Sequence, residues 1–323
     1  MAYRIGIIGL GIMGQRMLGN MGAHPDFVVA AAWDADPAAL DRLRREHAGI
    51  DVAASPEALA ARPDLDGIYI ASPPVSHPAY VELAWDHGKA AYCEKPLAVS
   101  IAASQALVDR ARRERRIAAV NFPFAASPAV KAMTDALSSG ALGTTRRIDI
   151  EVAFATWPRD WQQAGRWLSE RAEGGFTREV VSHFMFLTQR LAGPLSIRSA
   201  RAIYPDDGVA AETSLEAELA AGTVPVTLRG AVGTTDVSDH NSLTVTGTTG
   251  AARLHGWANL ARKTATGDWQ EVDFGPGPPM RQRSYMATLD ALAAMLAGRP
   301  HPLATLAEGL AVQICIEALL GGR

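Results

Sequence analysis

Short apolar runs and amphipathic stretches alternate through the first third of the chain. "RIGIIG" leads into a helical pattern that reaches about Met21, and "FVVAAAWD" into "PAALDRLRREHAG". "GIYIAS" leads into "HPAYVELAWDHG", and "AAYCE" into "IAASQALVDRARRERR", after which comes "IAAVNF". The short runs are apolar at consecutive positions. That suits strands of a parallel sheet covered by helices on both faces. The β-α-β-α order predicts a doubly wound α/β Rossmann domain over residues 1–121.

After Phe122 the pattern changes. A helix is predicted from about Pro128 to Ser139, closed by Gly140, and "TRRIDIEVAF" then reads as a strand. From about Ile197 to Phe274 the segments alternate apolar and polar residues between Gly, Asp, Asn and Thr. This predicts a large open sheet, mostly antiparallel or mixed. Helical patterns return at Arg281, with a break at "GRPHP". Residues 122–323 therefore form an α+β domain, whose last helices are free to pack back on the first domain.

Composition narrows the class. The chain has 323 residues, enough for two domains, with 48% hydrophobic and 20% charged residues. A net charge of −3 gives no reason to expect a nucleic acid or an anionic membrane as partner. Two cysteines, Cys93 and Cys315, make a disulfide framework an unfavourable reading and suit a reducing compartment. No apolar run approaches the roughly 18 residues of a membrane span. The start "MAYRIGIIGLGIMG" reads as a buried strand entering a glycine loop rather than as a signal peptide. These features predict a cytoplasmic protein.

"GLGIMG" sets Gly9, Gly11 and Gly14 in G-x-G-x-x-G spacing, with Ile12 and Met13 between them, after a strand and at the start of a helix. In that context the first glycine permits the tight turn and the second lets the backbone approach a pyrophosphate. The third lets the helix pack closely on the strand. Asp34 ends the second strand, where an acid accepts hydrogen bonds from the adenosine ribose hydroxyls and repels a 2′-phosphate. NAD is thus expected over NADP. The bland alternative is a turn acid, and Asp36 competes for the helix N-cap. The basic run Arg110–Arg116 reads as the solvated last turn of a helix rather than as a phosphate site.

"AAYCEKPLAVS" ends an apolar strand in Glu94, Lys95 and Pro96, which puts a lysine at the ligand edge of a parallel sheet. With "GLGIMG", "IASPPVSHPAYVELAWDHGKAAYCEKPLAVS" and "GGFTREVVSHFMFLTQRLAG" in this order, the chain resembles the Gfo/Idh/MocA oxidoreductases over essentially its whole length. The family is named for glucose–fructose oxidoreductase and inositol dehydrogenase. The resemblance implies a Rossmann domain followed by an α+β domain whose open sheet often joins subunits, hence a homodimer or homotetramer. It places Ser72, Pro73 and His77 near the nicotinamide, Glu94 at the nicotinamide ribose and Lys95 at the reacting group.

Helical spacing sets Glu179 and His183 one turn apart on one face, in a stripe with Phe186 and Arg190. By itself this pair reads as an i,i+4 acid–imidazole edge. Many members of the family carry an Asp at the first position, a Gly two residues on, a His two further and often an Asp after it. Here those positions hold Glu179, Val181, His183 and Phe186. The resemblance thus makes His183 the acid/base, with Glu179 in support. A metal site is not expected, since no further ligand stands at suitable spacing. "WPRDWQQAGRWLSE" adds Trp157, Trp161, Arg166 and Trp167, of which the first three are candidate substrate contacts. "NFPFAASP" lacks the arginine that often follows the sixth strand in the family, which counts against sugar-acid substrates.

The expected activity is hydride transfer between a nicotinamide and a sugar, cyclitol or related small hydroxyl or carbonyl compound. The alternatives are transient oxidation during glycoside cleavage on a tightly held NAD, and a non-catalytic nicotinamide sensor.

Overall fold

The computed structural model describes residues 2–163 and 165–321. Contacts divide the chain into two compact units. One comprises the residues up to Phe122 together with Tyr285–Ala311; the other comprises Pro123–Ser284 and the residues from Val312.

In the first unit the chain runs β1 (Tyr3–Ile8), α1 (Ile12–Gly22), β2 (Phe27–Trp33), α2 (Pro37–Glu46), β3 (Asp51–Val52) and α3 (Pro56–Ala60). It continues through β4 (Gly67–Ile70), α4 (His77–Asp86), β5 (Ala90–Glu94), α5 (Ile101–Glu114) and β6 (Ala118–Asn121). The described residues form a six-stranded sheet in the order β3-β2-β1-β4-β5-β6, parallel throughout. Every residue of β4 and β5 is buried, which explains runs without polar alternation. Strand order reverses between β1 and β4, so the loops after these two strands meet at the switch point of the sheet, where ligands bind in open α/β folds. The basic run closes α5 as expected, and its Arg110 pairs with Asp86 and Glu114.

In the second unit α6 (Pro128–Ser138) and β7 (Thr145–Phe154) come first, and α7 (Ser182–Ala192) follows. Then come β8 (Leu195–Ile203), β9 (Ser214–Ala221), β10 (Val224–Val232), β11 (His240–Gly247), β12 (Gly250–His255), β13 (Asn259–Thr264) and β14 (Gln270–Glu271). The sheet order is β14-β13-β12-β11-β7-β10-β9-β8. Only the β7–β10 pairing is parallel among the described ladders, so the sheet is mixed. Along β7, Ile148, Ile150, Val152 and Phe154 are buried while Arg147 and Glu151 are exposed, the alternation of a sheet covered on one face. α6 lies on β12 and β13, and α7 on β9. The tail forms α8 (Met280–Leu296) and α9 (Leu306–Gly321), and the division between the units falls within each of these helices. Among the described residues no helix is long and apolar enough to cross a membrane.

One local expectation is corrected. The stretch bearing Glu179 is not regular α-helix: Thr177–Val181 winds as a π-helix and passes into α7 at Ser182. Each turn there holds an extra residue, so the regular one-turn spacing of Glu179 and His183 does not apply.

Candidate active site

The glycine loop is built by two glycines and left open by the third. Gly9 has φ +97°, and a Cβ there would sit 2.6 Å from the carbonyl oxygen of Ala71 and from the amide nitrogen of Ser72. A Cβ on Gly14 would fall 1.9 Å from the carbonyl oxygen of Gly9. These two positions are fixed by the chain's own backbone. Gly11 is different: it is exposed, and a Cβ would meet nothing within 4 Å. It is also the N-cap of α1 and carries no side-chain cap. The amides that open α1, including those of Ile12 and Met13, have no intrahelical acceptor and form a ready anion site. The room beside Gly11 and the uncapped amides fit a pyrophosphate.

The two acids after β2 have separate roles. Asp36 caps α2, accepting from the Ala38 amide at 2.9 Å. Such a cap contributes about 1 kcal/mol. Asp34 accepts from the Leu10 amide at 2.5 Å through Oδ2 and from the Asp36 amide at 2.7 Å through Oδ1. Its carboxylate thus ties the glycine loop to the end of β2. Arg42, on α2, donates to the Leu10 carbonyl at 3.3 Å. No arginine directly follows Asp34 in the sequence; Arg42 stands about two helical turns further along the chain.

At the edge formed by β4 and β5, His77 is only 1% exposed and its two ring nitrogens face carbonyl oxygens: Nδ1 that of Pro96 at 2.7 Å, Nε2 that of Ser72 at 2.8 Å. The ring braces the loop after β4 against the Glu-Lys-Pro loop. Burial holds its pKa below the ordinary value, although the two carbonyls favour the charged ring. Ser72 receives a hydrogen bond from the Ser76 hydroxyl at 2.8 Å, and Pro73 is exposed. Glu94 is buried; its Oε1 accepts from the Tyr69 hydroxyl and from Asn121 Nδ2, the latter at 2.7 Å. Tyr92 donates to Asn121 Oδ1 at 2.6 Å. Burial, then the Glu94 charge, pushes both phenols well above their ordinary pKa, so they remain donors. Lys95 is also buried, and the Lys95–Pro96 peptide is cis.

In the second unit the Gly174–Gly175 turn admits a carboxylate. Gly175 has φ +96°, and a Cβ there would stand 2.2 Å from Glu212 Oε2. Glu212 thereby reaches the Thr177 amide, which donates to its Oε1 at 2.7 Å at the start of the π-helix. Arg178 makes a two-pronged pair with Glu317, at 2.7 and 2.8 Å. Glu179 accepts from Gln162 Nε2 at 3.2 Å. The His183 ring lies edge-on to Trp257, with centroids 5.5 Å apart, and to Phe124 at 6.1 Å. Phe186 is 1% exposed, with the Arg190 guanidinium 4.5 Å from its ring centroid.

The tryptophan segment divides. Trp157 donates its indole N–H to the Leu168 carbonyl at 2.9 Å and packs against Phe154 and Phe176. Trp161 is 45% exposed and Arg166 is exposed.

Residues 3–122 match the sequence model of the Gfo/Idh/MocA family, described as an oxidoreductase family with an NAD-binding Rossmann fold. An inositol 2-dehydrogenase from Acidothermus cellulolyticus is 33% identical over 146 residues, 44% of this chain and 42% of that protein. The chain spans less than half the length of this and two further curated relatives that it matches. Solved structures extend the likeness of fold to both units. An Agrobacterium radiobacter oxidoreductase in complex with NAD+, L-tartaric acid and magnesium matches with a TM-score of 0.85 at 20% identity, covering 98% of this chain and 95% of that one. A 3-ketoreductase from Actinomadura kijaniata in complex with NADP and TDP-benzene matches with a TM-score of 0.82 at 20% identity, covering 100% and 98%.

The first unit holds the glycine loop, Asp34, Ser72, Pro73, His77, Glu94 and Lys95, while Trp157, Trp161, Arg166, Glu179 and His183 belong to the other. Sequence reasoning missed the surroundings of His183. Phe124, Trp257, Arg159 and Asp239 are far apart in sequence and match no motif. The remaining signal was one of composition: Trp257 stands in a glycine-marked hairpin turn, where a large aromatic is unusual.

Proposed function

We propose that the chain is an NAD-dependent oxidoreductase acting on a CH–OH carbon, or its carbonyl counterpart, of a sugar, cyclitol or related small compound. One observation carries the reading: the open Gly11 position and uncapped start of α1 stand at the switch point of a sheet whose neighbouring strand, β5, ends in Glu94-Lys95-Pro96. NAD is preferred because Asp34 ends β2, where its negative charge disfavours a 2′-phosphate.

Bound nicotinamide supplies the hydride acceptor or donor. Gly11, Ile12 and Met13 seat the pyrophosphate, and Asp34 takes the adenosine ribose with the lone pairs its two amide bonds leave. Ser72 and Pro73 line the nicotinamide side, and Glu94 helps hold that ribose. His77 acts indirectly, by holding the Ser72 and Pro96 carbonyls. His183 removes the hydroxyl proton in oxidation as the neutral imidazole and returns it in reduction as the imidazolium. Lys95 donates a hydrogen bond to the reacting oxygen. Glu179 supports His183, and Trp161 and Arg166 contact substrate. Trp157, its indole N–H donated to the Leu168 carbonyl, contributes its ring to the same substrate contact. Assembly as a homodimer or homotetramer through the exposed sheet face completes the reading.

The test is a screen of sugars and polyols with NAD and NADP, following reduced nicotinamide by absorbance. Net reduction with a cyclic polyol or sugar supports the proposal. Tight NAD binding without turnover on the whole panel overturns it in favour of a sensor.

A further inference from the structure

The turn that joins β12 to β13 contains Gly256 at φ +54° and Trp257 at φ +72°. Glycine adopts this left-handed backbone freely, whereas a bulky side chain is disfavoured there. Trp257 is held by its neighbours. Its amide donates to Asn241 Oδ1 at 3.0 Å and its indole N–H to Asp239 Oδ2 at 2.9 Å. Asn241 Nδ2 in turn donates to Asp239 Oδ1 at 2.8 Å. Buried Arg159 pairs with the same Asp239 carboxylate, and its guanidinium stands 4.7 Å from the Trp161 ring centroid and 5.9 Å from that of Trp257. A half-buried carboxylate is thus satisfied by an arginine, an amide and an indole. The result is a half-buried indole fixed against His183, with the rings of Phe124 and Phe184 also near it at 6.0 and 5.9 Å.

A backbone conformation that glycine would adopt more readily, secured by this many polar contacts, points to a need for the indole itself. We propose that Trp257 is a specificity-determining residue. Its indole is the apolar wall beside His183 that seats the C–H face of a ring-shaped polyol or sugar. A six-membered carbon ring presents several C–H bonds on one face while its hydroxyls radiate outward. An open-chain polyol has no such continuous apolar face. The wall therefore selects cyclic substrates. The inference deepens the proposed function and rests on it.

The test compares the unaltered protein with Trp257→Phe and Trp257→Gly, using myo-inositol and D-glucose as ring probes and D-sorbitol as the open-chain probe. NADH binding, followed by fluorescence, and thermal unfolding serve as controls. The unaltered protein should favour a ring probe over D-sorbitol. Trp257→Gly, which also relieves the backbone, should raise KM for that ring probe about tenfold or more. Its kcat should stay within about threefold and its NADH affinity within about twofold. Trp257→Phe should fall between. A loss of kcat at unchanged KM, unaltered kinetics in both variants, or a preference for D-sorbitol overturns the inference while leaving the oxidoreductase reading in place. NADH binding with no turnover of any probe or panel compound overturns both.

Discussion

The Thr177 amide donates to Glu212 Oε1 across the Gly174–Gly175 turn, so a buried carboxylate anchors the segment that carries Glu179 and His183. Burial raises the Glu212 pKa above its ordinary value, against the opposing effect of the Thr177 hydrogen bonds. Ionising Glu212 is therefore less favourable in the folded chain than in the unfolded one. Its contribution to stability is fully present below the unfolded carboxylate pKa of about 4.3 and is lost as pH rises through the raised value. Glu212→Gln keeps the shape and removes the titration. Relative to the parent, the variant should gain stability as pH rises from acid to neutral. Urea unfolding at several pH values checks this; a stability difference independent of pH counts against it.

His183 is expected to carry proton transfer. His183→Ala should bind NADH within about twofold of the parent while kcat falls by about 10²–10⁴. Steady-state kinetics with the best substrate of the screen, beside a binding titration, separates the two effects. Unchanged turnover would remove His183 from the mechanism.

The three loop glycines should respond differently. Gly14→Ala forces a methyl group into the Gly9 carbonyl, so it should lower the melting temperature measurably. Gly11→Ala places its methyl in open space at an N-cap, where stability should change by less than about 1 kcal/mol. NAD affinity should nevertheless fall about tenfold, because that space is where the pyrophosphate is expected. Calorimetric melting and NADH titration give both readouts.

Arg42 reaches the Leu10 carbonyl while Asp34 holds the Leu10 amide, so a cation and an anion flank one residue of the glycine loop. Arg42→Ala should weaken NADP about tenfold, the effect of losing one charge-assisted contact, and change NAD affinity less than about twofold. Equal losses for both cofactors would show that Arg42 only supports the loop.

Much of the first unit was legible in the sequence because β4 and β5 are buried along their whole length, and a helix such as α2 is announced by its own cap, Asp36, and periodicity. The mixed sheet was legible from alternation such as that of β7. The π-helix was not, since an extra residue in one turn leaves the apolar pattern almost unchanged. Nor was the aromatic enclosure of His183. Arg159 meets Asp239 through the pairing of distant strands, and no local pattern records that meeting. The Phe186 ring, which replaces an acid of the family pattern, is covered by Arg190 instead of being open at the surface. The substitution therefore reads first as packing, and the choice of substrate passes to the residues around His183.

The two amide bonds of Asp34 make cofactor choice and loop folding one problem. An exchange of Asp34 for a neutral residue would remove the tether between β2 and the glycine loop before any cofactor arrived. Arg42 holds a single carbonyl from a half-buried helix position. A lineage drifting between NAD and NADP would find fewer obstacles on that helix than at the acid itself.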